Sequence, residues 1–311
     1  MDIFVRKGIK PMLLTENHEP IDSPDYICEL KLDGIRCLAY LSDCTDLRNK
    51  RDIPLIGAFP ELTDIYKQAH RRCILDGELI ITSTDGSPDF EAMQTRTMLT
   101  DPARILLAST RSPASFVAFD ILYCDGIPLM NRPLMERKQI LNGTITESNR
   151  LAISRVFDNS PALFELTTQQ GLEGIVQKRK NSLYHPGKRS RDWIKVKNLI
   201  DEDFVACGYI PKGDQCSLVL GQYSGADLIY CSHVTLGVSK QEASRYSTSD
   251  QYPFSSAPSD NGDTHWYSPL QVCTVRYMER TSSGSMRQPR LKCFRHDKTP
   301  HECVLHTPTI V

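Results

Sequence analysis

Lys31 stands two residues before Asp33-Gly34 in the stretch 26–41, YICELKLDGIRCLAYL. A lysine amine is a nucleophile only when deprotonated, and its ordinary pKa is about 10.4, so nearby cations or desolvation must lower it. The stretch WIKVK at 193–197 offers such cations. On a strand Trp193, Lys195 and Lys197 share one face. If that face met Lys31 across a pocket, the two ammonium groups would activate the nucleophile and grip a phosphate; they could equally be surface lysines on an edge strand. Carboxylates come in LDGEL (75–79), where Asp76 and Glu78 share a face, and in LEGIV (172–176), where Glu173 heads a strand. Acids at the ends of buried strands need a partner, because an unpaired buried charge is costly. A divalent metal, a ribose hydroxyl or a lysine would each serve, as would an internal salt bridge. Phe119 lies in the apolar run 116–126, FVAFDILYCDG, so its ring is either core or, facing a pocket, a surface on which a base stacks.

Positioning these groups requires sheets. Alternation puts Tyr26, Cys28, Leu30 and Leu32 on one face of the first run and Ile27, Glu29 and Lys31 on the other. Asp33-Gly34 fits a two-residue hairpin turn into the run carrying Arg36. CILDGELII, FVAFDILY, GIVQKRK and WIKVK predict further strands. The spacing of Phe59, Leu62, Ile65, Tyr66 and Ala69 predicts a helix. SPALFELTTQQG predicts another, with Ser160 as N-cap, Pro161 first in the helix and Gly171 just past its end. After Lys197 the chain is strand-rich, with a helix near 240–246 and a Ser/Pro/Asp-rich loop over 247–264. The acidic stretch Asp201–Asp203 marks the expected boundary between a first domain over 1–200 and a small β-barrel over 201–311, for which the OB-fold is the natural candidate.

A chain of 311 residues suits two domains, and 40% hydrophobic with 24% charged residues describes a globular protein. No apolar run is long enough to span a membrane, and the first residues lack a signal-peptide core. Eleven cysteines without a Cys-x-x-Cys pair argue against a zinc knuckle or a disulfide framework and fit reduced thiols in the cytoplasm. Net charge is −1, yet residues 177–198 hold eight Lys or Arg and one acid, Asp192. That stripe is either a phosphate-binding surface, with Lys178, Arg179 and Lys180 touching DNA, or a solvated basic face.

Taken in order, KLDG (31–34), LRNKRD (47–52), LDGEL (75–79), FVAFDILY (116–123), EGIV (173–176) and WIKVK (193–197) resemble the motifs of ATP-dependent DNA ligases. These are covalent nucleotidyltransferases, like the mRNA capping enzymes and RNA ligases. The likeness extends to 271–302, which resembles the family's last motif and includes Arg295-His296-Asp297-Lys298. It implies an α+β protein: a nucleotidyltransferase (adenylation) domain of antiparallel sheets with flanking helices, then a C-terminal OB-fold β-barrel. It also implies ATP and Mg²⁺ or Mn²⁺. Lys31 would attack the α-phosphate and carry AMP as a phosphoamide. Glu29 would lie by the adenine amino group, Phe119 would stack on adenine, and Glu78 would hold the ribose. Arg36 and Arg48 would flank the nucleotide and later the 5′-phosphate of a nick. Lys195 and Lys197 would grip the α-phosphate with Arg189 close by, and Glu173 with Glu78 would place the metal. Arg295, Asp297 and Lys298 would swing over to orient pyrophosphate, with Asp201–Asp203 as the hinge.

The spelling most resembles the ligase module of bacterial non-homologous end-joining enzymes, here standing alone. With only thirty residues ahead of Lys31, the large N-terminal DNA-binding domain of replicative ligases is not expected. The resemblance implies nicked or broken double-stranded DNA as substrate and DNA repair as the setting. It further implies a Ku-type partner, a monomer, and work in the cytoplasm at the nucleoid. Cys293-Phe294 departs from the glycine that relatives tend to have before the arginine. An RNA ligase or capping enzyme would share Lys31, Glu78, Glu173 and the lysine pair, although the RHDK ending favours a DNA ligase. A non-catalytic nucleic-acid-binding protein is the remaining alternative.

Overall fold

The computed structural model describes residues 2–84, 86–255, 263–281 and 284–305. The chain divides into two compact units, Met1–Asn198 and Leu199–Val311. The strands of the first are β1 (Leu13–Asn17), β2 (Tyr26–Leu30), β3 (Ile35–Leu41), β4 (Thr45–Asn49), β5 (Cys73–Ile80), β6 (Ser115–Cys124), β7 (Ile127–Pro128), β8 (Leu151–Ile153), β9 (Gly174–Arg179) and β10 (Arg189–Lys197). Its α-helices are α1 (Ile3–Arg6), α2 (Phe90–Met98), α3 (Pro102–Arg111), α4 (Leu134–Asn142) and α5 (Ser160–Gln169). Among the described residues one sheet has the order β1-β10-β9-β2, and a second has β4-β3-β5-β6-β7 with β8 on β6. The β1–β10 and β6–β8 pairings are parallel; the others are antiparallel.

Apolar periodicity explains the layering. One face of the second sheet (Leu75, Leu79, Phe116, Ile121) packs on Phe59, Leu62, Ile65 and Met93. Its other face (Leu38, Tyr40, Ile74, Phe119) meets Ile27 and Trp193 of the first sheet. The far face of the first sheet (Cys28, Ile175, Val196) is covered by Leu163 of α5. The first sheet is therefore buried on both sides, and any polar group on its inner face needs a partner inside the molecule.

Three local expectations are corrected. Residues 26–41 are not a hairpin: β2 pairs with β9, whereas β3 pairs with β4 and β5. Asp33-Gly34 crosses from one sheet to the other, and Gly34 is needed because a Cβ there would lie 2.1 Å from the Leu79 carbonyl oxygen. The 59–69 helix is broken into short 3₁₀ turns, Pro60–Leu62 and Ile65–Gln68. The Tyr66 N–H donates to Thr45 Oγ1 at 3.1 Å instead of continuing a helix, although Phe59, Leu62 and Ile65 are buried as the spacing requires. The N-cap of α5 is Asn159, one residue before Ser160, its side chain accepting from the Ala162 N–H; Gly171 follows the helix at φ 65°.

The second unit contains β11 (Ile200–Lys212), β12 (Gln215–Ser224), β13 (Asp227–Val234), β14 (Thr248–Ser249), β15 (His265–Tyr277) and β16 (Arg290–Arg295), with the short α6 (Lys240–Ala243). The order β13-β12-β11-β15-β14, with β16 on β15, is antiparallel throughout. Phe204, Ala206, Leu218 and Leu220 face one core with Tyr267 and Phe294, while Val205, Cys207 and Val219 face another with Phe254 and Cys303. This OB-like unit does not begin with a free linker. Asp201–Asp203 lie within β11 and pair with Thr274–Arg276 of β15, so the expected hinge is a strand. Of the expected 247–264 loop, residues 256–262 lie outside the described residues, and Thr248–Ser249 pair with β15.

Candidate active site

The two sheets of the first unit part to leave a cleft lined by Glu29, Lys31, Arg36, Glu78, Phe119, Lys178 and Trp193 among others. Lys31 sits where the chain leaves β2. Its N–H donates to the Gly174 carbonyl at 2.9 Å, and its Nζ lies 2.7 Å from Glu173 Oε2. Gly174 makes this possible: at φ 132°, a Cβ would lie 2.1 Å from the Val196 carbonyl oxygen. Lys197, on the inner face of β10 as alternation requires, is depressed by burial and then by the charge of Lys195, with Lys31 adding to it. Lys195 pairs with Glu16 at 2.9 Å.

Two carboxylates in this neighbourhood are short of compensation. Burial pushes Glu78 up to about 8; Arg36 and Lys31 oppose the shift, and Asp76 and Glu173 reinforce it. Glu173 is also raised, by burial first, against the pull of Lys31. The described residues contain no group of three or more His, Cys, Asp or Glu side chains placed to hold a metal ion. Two carboxylates with surplus negative charge nonetheless fit a hard divalent cation that takes its remaining ligands from phosphate and water.

The other end of the cleft is a buried ion cluster. Glu29, 2% exposed, meets Lys178 at 3.0 Å and Lys138 of α4. Burial acts upward on Glu29, but the two lysines more than reverse it. Lys178 is pushed down to about 8 by burial. Its Nζ lies 4.4 Å from the ring centroids of both Phe119 and Trp193, and the Arg36 guanidinium lies 4.6 Å from that of Phe119. Arg36 is fixed by two bonds to Asp76, at 2.7 and 2.6 Å. Tyr184 donates to the same carboxylate at 2.6 Å and accepts the Met12 N–H at 2.9 Å. Asp76 thus has the partner its buried strand demanded. Reading the sequence missed Lys138 and Tyr184, which lie far along the chain from the residues they hold.

Two expected residues of the first unit have partners outside the cleft. Arg48 is bonded to Asp46 and the Asp52 carbonyl, and Arg189 donates to the Leu14 carbonyl from an exposed position. Arg295, Asp297 and Lys298 belong to the second unit, where Arg295 grips Asp297 at 2.7 and 2.6 Å and Lys298 binds Asp203. The basic stripe is corrected at Lys178. Lys178 is buried, Arg179 reaches Asp192 at 3.6 Å, and Lys180 reaches Asp158 at 3.4 Å.

The family described as "ATP dependent DNA ligase domain" matches residues 11–197, and "ATP dependent DNA ligase C terminal region" matches 212–298. The chain belongs to the ATP-dependent DNA ligases. The ligase is 31% identical over 290 residues to the SPbeta prophage-derived DNA ligase-like protein LigB of Bacillus subtilis, covering 92% of this chain and 99% of that one. It is 31% identical over 311 residues to the multifunctional non-homologous end joining protein LigD of Mycolicibacterium smegmatis, covering 94% of this chain but 39% of that protein's length. A solved structure of mycobacterial DNA ligase D complexed with ATP and MES superposes with a TM-score of 0.56 at 26% identity, covering 96% of this chain and 98% of that one. A Lig E DNA ligase, 20% identical with a TM-score of 0.64, shares the fold, covering 93% of this chain and all of that one.

Proposed function

We propose that Lys31 carries the adenylate of this ATP-dependent DNA ligase. The observation that carries the reading is the Lys31 amine 2.7 Å from Glu173, at a cleft containing Glu78, Phe119 and Trp193. Lys31 Nζ forms a bond to the α-phosphorus of ATP, the bond to the bridging oxygen breaks, and pyrophosphate departs. Glu173, 2.7 Å from Nζ, holds the Lys31 amine in place, and the proton the amine sheds passes to solvent. The 5′-phosphate of DNA then displaces Lys31 from the adenylate, and the 3′-hydroxyl displaces AMP to close the backbone. Glu78 and Glu173 would hold a divalent cation, Mg²⁺ or Mn²⁺, which when bound neutralises phosphate charge.

Lys195 and Lys197 grip the α-phosphate in this scheme, and Arg36, anchored by Asp76, faces the nucleotide. Glu29 accepts from the adenine amino group, and Phe119 offers its ring to the base. Arg48 and Arg189 would have to exchange their present partners to reach a phosphate. Lys298 would have to leave Asp203 before joining Arg295 and Asp297 on pyrophosphate.

Relatives named for non-homologous end joining support a role in DNA break repair. A Ku-type end-binding protein is the partner that role calls for, with the ligase acting as a monomer at the cytoplasmic nucleoid. No helix among the described residues is long and apolar enough to cross a membrane. Sealing assays on a DNA duplex and an RNA duplex, each with one 5′-phosphorylated nick, test the substrate. The DNA nick should be closed, and closure of the RNA nick alone would overturn the reading in favour of an RNA ligase.

A further inference from the structure

We propose that the hairpin tip after β4, through Lys50 and Arg51, contacts backbone phosphates of the DNA flanking the break. This inference rests on the ligase reading for its partner and adds a surface outside the cleft. The tip is a β-turn, with the Asp52 N–H donating to the Asn49 carbonyl at 2.9 Å and the Asn49 N–H to the Ile53 carbonyl at 3.1 Å. The Asn49 side chain accepts from the N–H groups of Arg51 (2.9 Å) and Ile53 (3.1 Å). Lys50 and Arg51 occupy the two central positions, and both are exposed.

The surroundings of this turn are braced beyond what a surface loop requires. Asp52 has φ 63° and Lys7 has φ 60°, both non-glycine residues in the left-handed region, where strain persists only if neighbours enforce it. Here they enforce it on each other's segments. The Gly8 N–H donates to Asp52 Oδ1 at 3.3 Å, Lys7 pairs with Asp46 at 3.2 Å, and the Lys7 ammonium lies 3.9 Å from the Tyr40 ring centroid. Arg48 joins this network through Asp46 and Asp52.

Charge is what the network leaves over. Lys7 and Arg48 are matched by Asp46 and Asp52, so the base of the hairpin is internally neutral. Lys50 and Arg51 have no acidic partner among the described residues, and together they place two positive charges on a rigid tip. Arg179 and Lys180, by contrast, each face an acid. A turn whose main chain is already fixed adds no backbone ordering to the cost of binding, and two cations on it suit phosphates, which position a duplex without reading its sequence.

The test is the salt dependence of binding to a nicked duplex whose 3′ end lacks the hydroxyl, so that no sealing intervenes. For every phosphate the protein no longer neutralises, the slope of log K against log salt should become shallower by about 0.9. The double variant K50A/R51A should therefore bind more weakly at low salt and show a slope shallower by about 1.8, while K50R/R51K should keep the wild-type slope. A charge-matched control, R104A/R111A on the exposed face of α3, should leave the slope unchanged. Thermal melting of each variant checks the fold. An unchanged slope in K50A/R51A, or an equal loss in the control, would overturn the proposal. Failure of the ligase reading would appear separately, as a wild-type protein that seals no nick.

Discussion

Glu78 and Glu173 at the cleft and three acids of the second unit, Asp201, Asp203 and Asp297, are displaced in opposite directions. In the first unit burial without full compensation raises Glu78 and Glu173. In the second, Arg276 and Lys292 hold Asp201 far below the usual carboxylate range, and Arg295 holds Asp297 down to about 2. Burial pushes Asp203 up, but Lys298 and Thr274 more than reverse it. The cleft therefore keeps an imbalance that a cationic ligand can resolve, whereas the cations of the last motif are already satisfied by acids of their own unit. The contrast is between a cleft with negative charge to spare and a motif whose charges are matched within its own unit.

Perturbing each side sharpens this contrast. The largest effect belongs to Lys31→Ala, which should reduce sealing of nicked DNA to background, measured by gel, because Lys31 is the amine that Glu173 meets at 2.7 Å. Next comes Asp76→Asn. It leaves the Arg36 charge without its buried counterpart, a loss of about 3–5 kcal/mol for such pairs, read by denaturant unfolding.

A smaller effect should appear in the pH dependence of stability. Glu78 moves from an ordinary 4.5 up to about 8 on folding, so between those values the folded state binds more protons than the unfolded one. Stability attributable to this group is complete below 4.5 and is lost as pH rises towards 8. Glu78→Gln should flatten that decline in melting experiments. Divalent cation should raise the melting temperature of the wild type near pH 8 and do so less in the variant. Lys178 has the opposite sign: its descent from 10.5 to about 8 makes stability increase between 8 and 10.5. The smallest effect is expected from Asp203→Asn, which frees the partly exposed Lys298. It should cost under about 1 kcal/mol in unfolding.

The strands carrying Glu29, Glu78, Lys195 and Lys197 were legible because alternation over five or more residues fixes a face without knowledge of the partner strand, whereas the Phe119 strand was read from its apolar run, which left the direction of the ring open. The partner strand itself was not legible. Asp33-Gly34 suits a hairpin locally, yet tertiary packing draws β2 and β3 into different sheets, and it is this crossing that sets Lys31 between them. Helical spacing at 59–69 reported burial correctly but not hydrogen bonding, because Thr45, distant in sequence, captures the Tyr66 N–H. Helices α2 and α3 carried clear caps, Asp89 and the Asp101-Pro102 pair, that were open to reading. Lys178 was misjudged because a run of basic residues looks solvated, while the strand turns the first member of Lys178-Arg179-Lys180 inward to Glu29. The acids 201–203 looked like a linker because their partners, Arg276, Arg280 and Lys298, lie some seventy or more residues later.

Intact-mass measurement of the purified protein after incubation with ATP and a divalent cation tests the central claim most directly. The wild type should gain the mass of one AMP, peptide mapping should locate it on Lys31, and a nicked duplex should discharge it. A wild-type protein that never gains that mass under Mg²⁺ or Mn²⁺, or a Lys31→Ala variant that gains it equally, would contradict the account.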